Sequence, residues 1–386
     1  MVKQKKVVWK MINLGLDFGS TYTTVSIYRE DTQTLETLIL NQTLPFIPSV
    51  AALMDGQFEF GRAAKSLTGK KDARVFKAFK MLLPETNQKK LAERGFDQMY
   101  TPEVIAKYFL ENVLRQVLKN LNENEIETLV IGVPEIWNEG ISTLDGRTML
   151  RNICRDMKFV KEVKVVSEPA AASAFFAHNF FVTTGKKFEG KILLVDYGGG
   201  TLDITLTDVL SGTGPNGTNT VEIKVLERTG AGENEEREVG KAGIVYMETV
   251  MEEAIKRSGI LKDTKEFVYD GKFYKAVDEL EQQLQDRTQK IQDVFEEFGL
   301  DEEELNEIRF VCIDYRDESV DVTYGLLLEV YNRVIRPVFD EKLRQMIAYM
   351  DEEGIQYMDR NQDIFKIALV GGFGNYYLVK NNLSES

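Results

Sequence analysis

The sequence predicts an α/β protein with mixed sheets, folded as two lobes of similar design. Strand-like segments alternate with longer helical patterns along the chain. A strand–turn–strand unit occurs once near the start and again near the middle. The 386 residues are 43% hydrophobic and 28% charged, which is typical of a globular protein of two or three domains. We predict lobes at residues 1–185 and 186–386, with inserted subdomains at about 40–120 and 228–312.

The repeated unit is the most informative local pattern. Residues 14–28 align with residues 193–207, because each segment is an apolar strand ending in aspartate, followed by an aromatic residue, a glycine and small or hydroxyl residues. An alternating pattern then resumes, which indicates a second strand. Solenoid repeats have periods of ~20–50 residues. Because these copies are much farther apart, they predict duplicated lobes.

The other elements follow in chain order. Thr101 can cap a helix and Pro102 suits its first turn. The patterns predict helices at 101–120, 141–157, 169–179, 245–257, 274–298 and 326–351, and strands at 129–133, 163–167, 221–227 and 367–370. Residues 211–220 are rich in Gly, Thr and Asn and are predicted to form a loop.

Charge restricts the partners. The chain has 48 Lys and Arg against 62 Asp and Glu, a net charge of −14, which makes it a poor general binder of nucleic acid or anionic membrane. Residues 278–307 are strongly acidic and predict a solvated helical face, with a docking surface for a basic partner as the alternative. Residues 62–94 are basic, so one or two of them could contact phosphate.

No segment resembles a targeting or membrane-spanning sequence. Lys3, Lys5 and Lys6 precede a stretch that polar residues interrupt. Cys154 and Cys312 lie far apart and form no metal-binding spacing, which favours a reducing compartment. We therefore predict a cytoplasmic protein.

Several common sites are excluded by the residues themselves. Neither a Walker-type phosphate loop nor a complete Gly-x-Gly-x-x-Gly after a strand occurs. His178 is the only histidine, which excludes a zinc site built on a pair of histidines. The two Asp-x-Gly turns are the remaining candidates, because small residues let backbone N–H groups approach a phosphate closely. Carboxylates beside a polyphosphate, here Asp17 and Asp196, suit a hydrated Mg²⁺.

Five motifs occur in the order seen in the actin-like ATPase superfamily, at residues 16–22, 133–134, 167–172, 195–203 and 369–372. The third and fourth motifs most resemble the ATPase domain of the DnaK-type chaperones, the heat shock protein 70 family. The resemblance extends from about residue 12 to residue 383. It implies an actin-like ATPase (ribonuclease H-like) fold in which each lobe has a mixed five-stranded sheet flanked by helices, with a nucleotide cleft between the lobes.

The resemblance implies a role for each matched residue. The catalytic residues would be Asp17, Lys80 (with Lys77 as competitor), Glu168, Asp196 and Thr201. The residues contacting ATP or ADP would be Gly19, Ser20, Thr21, Tyr22, Gly198, Gly199, Gly200, Thr201, Asp278, Glu281, Gln282, Gly371, Gly372 and Phe373. The Mg²⁺ ligands would be Asp17, Asp196 and Asp203, and K⁺ is a candidate second cation. Pro134 matches a proline that relays the nucleotide state.

Two departures from the family pattern leave part of the function open. The adenine-contacting helix of the family carries a basic pair, whereas this chain has Glu281 and Gln282, and the serine and arginine after the last glycines are Phe373 and Asn375. The family's peptide-binding domain is not in the sequence, which predicts a piece of a longer protein or a divergent member. An unfolded client would bind through that domain, and a co-chaperone or exchange factor is a further implied partner.

The first functional hypothesis is Mg²⁺-dependent ATP binding and slow hydrolysis that switches lobe closure. The alternatives are a filament-forming actin-like ATPase of the plasmid-segregation or cell-shape kind, a small-molecule kinase on the same fold, and a nucleotide-binding regulatory module with weakened catalysis.

Overall fold

The computed structural model describes residues 12–29, 32, 34–40, 45–138, 145–213, 219–231, 242–261, 267–357 and 365–385. Contacts divide the chain into two units. The first comprises Met1–Lys65 and Arg74–Glu168, and the second comprises Ser66–Ala73 and Pro169–Ser386. The lobe boundary after residue 185 stays a prediction.

The first unit contains a large sheet and a small inserted sheet. Its strands are β1 (Asn13–Phe18), β2 (Tyr22–Arg29), β3 (Thr34–Thr37), β4 (Phe46–Pro48), β5 (Ala51–Met54), β6 (Gln57–Phe60), β7 (Arg74–Phe76), β8 (Ile126–Val133) and β9 (Val160–Ser167). Its helices are α1 (Arg62–Lys65), α2 (Gln88–Glu93), α3 (Pro102–Leu121) and α4 (Gly146–Arg155). The large sheet has the order β3-β2-β1-β8-β9, with β4 also on β2, and the small sheet has the order β6-β5-β7.

Alternation along β1 explains how the large sheet presents its polar residues. Leu14, Leu16 and Phe18 are buried on one face, so Asp17 lies on the other face near the end of the strand. The buried face packs against α3, which begins as predicted: the Thr101 hydroxyl accepts from the N–H of Val104 at 3.3 Å. The core of this unit therefore fixes the direction in which β1 delivers Asp17.

The second unit has a four-stranded sheet and most of the helices. Its strands are β10 (Gly190–Tyr197), β11 (Leu202–Thr213), β12 (Asn219–Ala231), β13 (Arg309–Tyr315), β14 (Glu318–Thr323) and β15 (Phe365–Val370). Its helices are α5 (Glu168–Thr184, of which Glu168 belongs to the first unit), α6 (Gly243–Arg257), α7 (Gly271–Asp286), α8 (Thr288–Phe298), α9 (Glu302–Asn306), α10 (Tyr324–Val330), α11 (Arg336–Glu352) and α12 (Tyr377–Glu385). The main sheet has the order β12-β11-β10-β15, and β13 and β14 form a separate hairpin.

The duplication predicted from the sequence is confirmed in the sheets. In the first unit β1 pairs antiparallel with β2 and parallel with β8. In the second unit β10 pairs antiparallel with β11 and parallel with β15. The resemblance implied five strands in each main sheet, but in the part of the chain that the structure describes the first sheet has six, counting β4, and the second has four.

Other local predictions need correction. The helix predicted at 274–298 is two helices that meet at Arg287. The Arg287 guanidinium donates to the carbonyl of Phe310 at 3.1 Å and lies over the Phe310 ring. The helix predicted at 326–351 contains a π-helical turn, Tyr331–Ile335, just before Pro337, which cannot donate a helical hydrogen bond. The helix predicted from residue 141 is described from Gly146, and residues 141–144 lie outside the described ranges.

The loop predicted at 211–220 is also partly wrong. Ser211 pairs with Val221 and Gly212 with Thr220, so β11 and β12 continue into the predicted loop from both sides. Residues 214–218 lie outside the described ranges. Among the described helices, none combines the length and the apolar character needed to cross a bilayer.

Candidate functional site

The first candidate phosphate turn connects β1 to β2. The N–H of Gly19 donates to the carbonyl of Tyr22 at 3.0 Å, which closes the turn around Ser20 and Thr21. A Cβ at Gly19 would lie 2.3 Å from that same carbonyl oxygen, so the close approach requires glycine. The hydroxyl oxygen of Thr21 is buried without a hydrogen-bond partner. A buried hydroxyl of this kind fits a site that an oxygen-rich ligand completes.

A charged cluster lies beside this turn in the first unit. Lys80 is 3% exposed, and its Nζ lies 2.5 Å from Oε1 of Glu168, the first residue of α5. Glu168 packs over β8 where a glycine leaves room, since a Cβ at Gly132 would lie 3.2 Å from its Cγ. Both charged groups interact electrostatically with Asp17. The structure therefore brings together three of the residues predicted to be catalytic.

Local sequence explains how Lys80 reaches Glu168. Ala78 adopts a left-handed conformation with φ 56°, which turns the chain immediately before Phe79. The Phe79 ring is buried 5.8 Å from the ring of Phe18 and 5.4 Å from that of Phe109. The aromatic anchor fixes the residue before Lys80 against the end of β1. Of the two lysines weighed from the sequence, Lys80 is the one that pairs with Glu168.

The surroundings of Asp17 disfavour its charged form. Asp17 is exposed to solvent at the strand end, but the protein atoms around it still desolvate the carboxyl and raise its pKa from 3.8 to about 6. The negative charge of Glu168 also raises the pKa, and the ammonium of Lys80 partly opposes both effects. A bound cation would relieve this unfavourable ionisation, so Asp17 fits the role of a metal-associated carboxylate.

The second candidate turn connects β10 to β11 and repeats the geometry of the first. The N–H of Gly198 donates to the carbonyl of Thr201 at 2.9 Å. The start of α6 supports this turn from outside the hairpin: the N–H of Gly243 donates to the carbonyl of Gly198 at 3.3 Å, and that of Ile244 to the carbonyl of Gly199 at 2.8 Å. Two N–H groups of the first helical turn thereby gain partners.

Asp196 and Asp203 lie opposite each other on β10 and β11. The backbone of Gly371 contacts Asp196 so closely that a Cβ there would lie 2.5 Å from Oδ1. A Cβ at Gly230 would lie 3.3 Å from Oδ1 of Asp203. Two glycines therefore leave the space that the two carboxylates of the second unit occupy.

The residues predicted to contact adenosine fall on two elements of the second unit. Glu281 on α7 is 8% exposed, and the Gln282 amide donates to Asp286 at 2.8 Å. Asp278 is half-buried one turn earlier on the same helix. The ring of Phe373 contacts three aromatic rings, at centroid distances of 5.1 Å to Tyr197, 5.3 Å to Tyr246 and 5.4 Å to Tyr376. Phe373 is thus partly buried and packed against the core, while Gly372 is exposed.

Gly371 and Gly372 offer a matched pair of substitutions. Gly371 has φ +83°, and an added Cβ would also lie 2.5 Å from the carbonyl oxygen of Tyr197, whereas nothing lies within 4 Å of a Cβ at Gly372. We expect Gly371→Ala to lower the free energy of unfolding by about 3 kcal/mol through backbone strain and overpacking. Gly372→Ala should change it by less than about 0.5 kcal/mol. Chemical denaturation measures both; equal values would contradict the described contact.

Comparison with known proteins identifies the family. The family model described as Hsp70 protein matches residues 13–220, more than half of the chain and both aspartate-containing hairpins. The chain belongs to the Hsp70 family. The resemblance inferred from the five motifs is therefore confirmed, and with it the actin-like ATPase fold. The Hsp70 match ends near the start of β12 and does not include α6–α12 or β13–β15.

Curated Hsp70 relatives are similar to this chain at low identity. The Chaperone protein DnaK of Mycoplasmoides gallisepticum is 27% identical over 203 residues, which cover 52% of this chain and 31% of the relative. The Heat shock 70 kDa protein of Trichophyton rubrum is 26% identical over 227 residues, covering 52% and 32%. The DnaK of Metamycoplasma hominis is 29% identical over 202 residues, covering 52% and 31%. The chain thus spans about a third of the length of these relatives.

The described residues contain no group of three or more His, Cys, Asp or Glu side chains that could form a direct metal cage. Mg²⁺ does not require one, because it usually keeps several waters and needs only one or two carboxylates. The raised pKa of Asp17 and the unpartnered hydroxyl of Thr21 suit a hydrated cation associated with phosphate oxygens.

Sequence reasoning missed the residues that support the site from a distance. Gly132 makes room for Glu168, and Gly243 and Ile244 hold the second turn. Gly132 could have been noted as a glycine interrupting an apolar strand. No local signal links α6 to the turn, because the two segments are far apart in sequence.

Proposed function

We propose that this chain is a nucleotide-binding part of an Hsp70-type chaperone that binds ATP with Mg²⁺ and hydrolyses it slowly. The observation that carries the proposal is the cluster of Asp17, Lys80 and Glu168 beside the closed turn at Gly19. This arrangement puts the buried ammonium of Lys80 and two carboxylates next to a turn with backbone N–H donors. Phosphoryl transfer depends on positioning and charge stabilisation by groups of these kinds. Family membership supports ATP as the nucleotide.

Each residue has a proposed role in this reaction. The turns at Gly19–Tyr22 and Gly198–Thr201 would bind phosphate oxygens through N–H and hydroxyl groups. Lys80 would stabilise charge on the transferred phosphoryl group, and Glu168 would hold the lysine in place. Asp17 and Asp196, with Asp203 as a further candidate, would associate with hydrated Mg²⁺, which neutralises phosphate charge. K⁺ stays a candidate second cation.

In the whole protein, ATP hydrolysis would control the binding of an unfolded client protein through a domain outside this sequence. A co-chaperone or nucleotide exchange factor would act on the same cycle. Nucleic acid and membrane surfaces are not proposed as partners, because the net charge of −14 opposes binding to polyanions. A cytoplasmic location also stays a prediction.

One observation favours a second candidate, a regulatory nucleotide-binding module with weakened catalysis. The Phe373 ring packs against three aromatic neighbours, and α7 has Glu281 and Gln282 where the family resemblance predicts a basic pair. A carboxylate and a neutral amide would not attract an electron-rich base or phosphate in the way a basic pair does. This candidate predicts nucleotide binding without turnover.

Calorimetric titration with ATP, ADP and GTP, with and without Mg²⁺, tests the proposal. We expect ATP and ADP to bind at least about tenfold more tightly with Mg²⁺ than without it, a difference of about 1.4 kcal/mol. GTP should bind more weakly than ATP. Absence of binding by all three nucleotides would contradict the proposal, and binding without phosphate release would favour the regulatory module. Light scattering that rises on addition of ATP would instead indicate a filament-forming protein.

A further inference from the structure

Ser49, the residue directly after β4, holds the first turn through two hydrogen bonds. The residue is 2% exposed. Its hydroxyl donates to the carbonyl of Gly19 at 2.7 Å, and its backbone N–H donates to the carbonyl of Thr21 at 2.8 Å. A serine hydroxyl has a single hydrogen, so the buried hydroxyl of Thr23, 2.9 Å away, is the donor in their mutual bond. The hydroxyl and the backbone N–H of Ser49 therefore both donate to carbonyls of the turn.

These two bonds fix the orientation of two peptide groups. A trans peptide is planar, so the carbonyl of one residue and the N–H of the next point in opposite directions. Holding the Gly19 carbonyl toward Ser49 directs the N–H of Ser20 away from it. Holding the Thr21 carbonyl does the same for the N–H of Tyr22. Ser49 thus sets the direction of two backbone N–H groups in the turn.

The second turn is supported in an equivalent way by a different chemical group. The carbonyl of Gly198 corresponds to that of Gly19, since both glycines also donate to a carbonyl three residues later. In the second unit the partner is the backbone N–H of Gly243 at the start of α6, whereas in the first unit it is a side-chain hydroxyl. Deleting the hydroxyl oxygen of Ser49 removes the bond to the Gly19 carbonyl, whereas the bond to the Gly198 carbonyl comes from the backbone and does not depend on any side-chain atom.

We propose that Ser49 is a positioning residue that pre-orients the first turn for phosphate binding. The inference rests on the proposed function, because it requires that the turn contacts a nucleotide phosphate. Ser49 acts through Gly19 and Thr21 rather than through the nucleotide. Its effect should therefore appear in the affinity for phosphates and in the local stability of the turn.

Two measurements on Ser49→Ala test the proposal. We expect the affinity for ADP to fall about tenfold, which corresponds to the loss of one buried hydrogen bond, while the affinity for adenosine stays unchanged. Competition against a fluorescent nucleotide gives both values. Without nucleotide, hydrogen–deuterium exchange at residues 13–28 should become faster in the variant. A serine that only stabilised the fold would leave the ratio of the two affinities unchanged.

Ser173 provides a matched control in the second unit. Its hydroxyl lies 2.8 Å from that of Thr207, which donates to the carbonyl of Ile192 at 3.3 Å, so this buried Ser–Thr pair differs from that of Ser49 in that the threonine bonds the backbone carbonyl. Ser173→Ala also removes a buried serine hydroxyl and should lower stability without changing the ratio of ADP to adenosine affinity. Thr23→Val removes only the hydroxyl that bonds Ser49, and exchange at the turn should accelerate to a smaller extent. This milder variant tests the same inference if Ser49→Ala does not fold.

The outcomes separate this inference from the proposed function. An unchanged affinity ratio in Ser49→Ala, or unchanged exchange at residues 13–28, would overturn the role of Ser49 while leaving nucleotide binding intact. Failure of the unmodified protein to bind ADP would contradict the proposed function. In that case the exchange measurement alone decides whether Ser49 orients the turn.

Discussion

Replacing Lys80 with methionine should lower the rate of ATP hydrolysis about 100-fold or more, with nucleotide affinity changed much less. The physical reason is that a pre-oriented charge stabilises the transferring phosphoryl group more than the bound substrate. The same substitution leaves the Glu168 carboxylate without the ammonium 2.5 Å away. Because the Glu168 side chain is 25% exposed, water compensates in part, and we expect a loss of about 2 kcal/mol in the free energy of unfolding.

A second substitution separates the two effects of Lys80. In Lys80→Met/Glu168→Gln the unpaired charge is removed, so most of the lost stability should return while hydrolysis stays low. Lys161→Met is the matched control, since Lys161 pairs with Glu127 at 3.0 Å but both side chains are exposed. It should cost less than about 0.5 kcal/mol and leave hydrolysis unchanged. Steady-state phosphate release and denaturant titration measure both quantities; full hydrolysis by Lys80→Met would refute the assigned role.

Acidification should weaken Mg²⁺-dependent nucleotide binding through Asp17. Its pKa is raised to about 6, so the carboxylate is mostly ionised at pH 7 and mostly protonated at pH 5. If the cation needs the ionised form, the affinity gained on adding Mg²⁺ should fall about tenfold between these pH values. Asp17→Asn should show little Mg²⁺ enhancement at either pH. The titration of the nucleotide itself is common to both proteins and cancels in the comparison.

Acidification weakens Mg²⁺-dependent binding, but the same raised pKa predicts that it removes an unfavourable contribution of Asp17 to the stability of the nucleotide-free protein. A carboxyl whose folded-state pKa lies above its unfolded value destabilises the folded protein when ionised, and this penalty disappears as pH falls from about 6 toward 4. Asp17→Asn should therefore stabilise the nucleotide-free protein at pH 7.5, by about 1 kcal/mol once solvent screening is considered. The difference should narrow between pH 6.5 and pH 5. A variant less stable than the unmodified protein at pH 7.5 would contradict this description of the Asp17 surroundings.

Much of the fold was predictable because its signals are local. The hairpins around Asp17 and Asp196 follow from apolar strands that end at small residues, and α3 follows from its Thr101 cap. The break at Arg287 was not predictable, because the contact that accompanies it is with Phe310, which is distant in sequence. The π-helical turn at Tyr331–Ile335 lies next to Pro337, but the proline alone does not specify how the helix accommodates it.

The sequence by itself determined the α/β class, the duplicated hairpins and the family, since each depends on residue types at short, fixed spacings. It also named Lys80 and Glu168 as candidates, but it did not reveal that they form an ion pair. Only the tertiary structure decided that contact, the raised pKa of Asp17 and the bonds from Ser49 to the first turn. These properties depend on distances and desolvation created when separate segments pack together, and no pattern within a single segment encodes them.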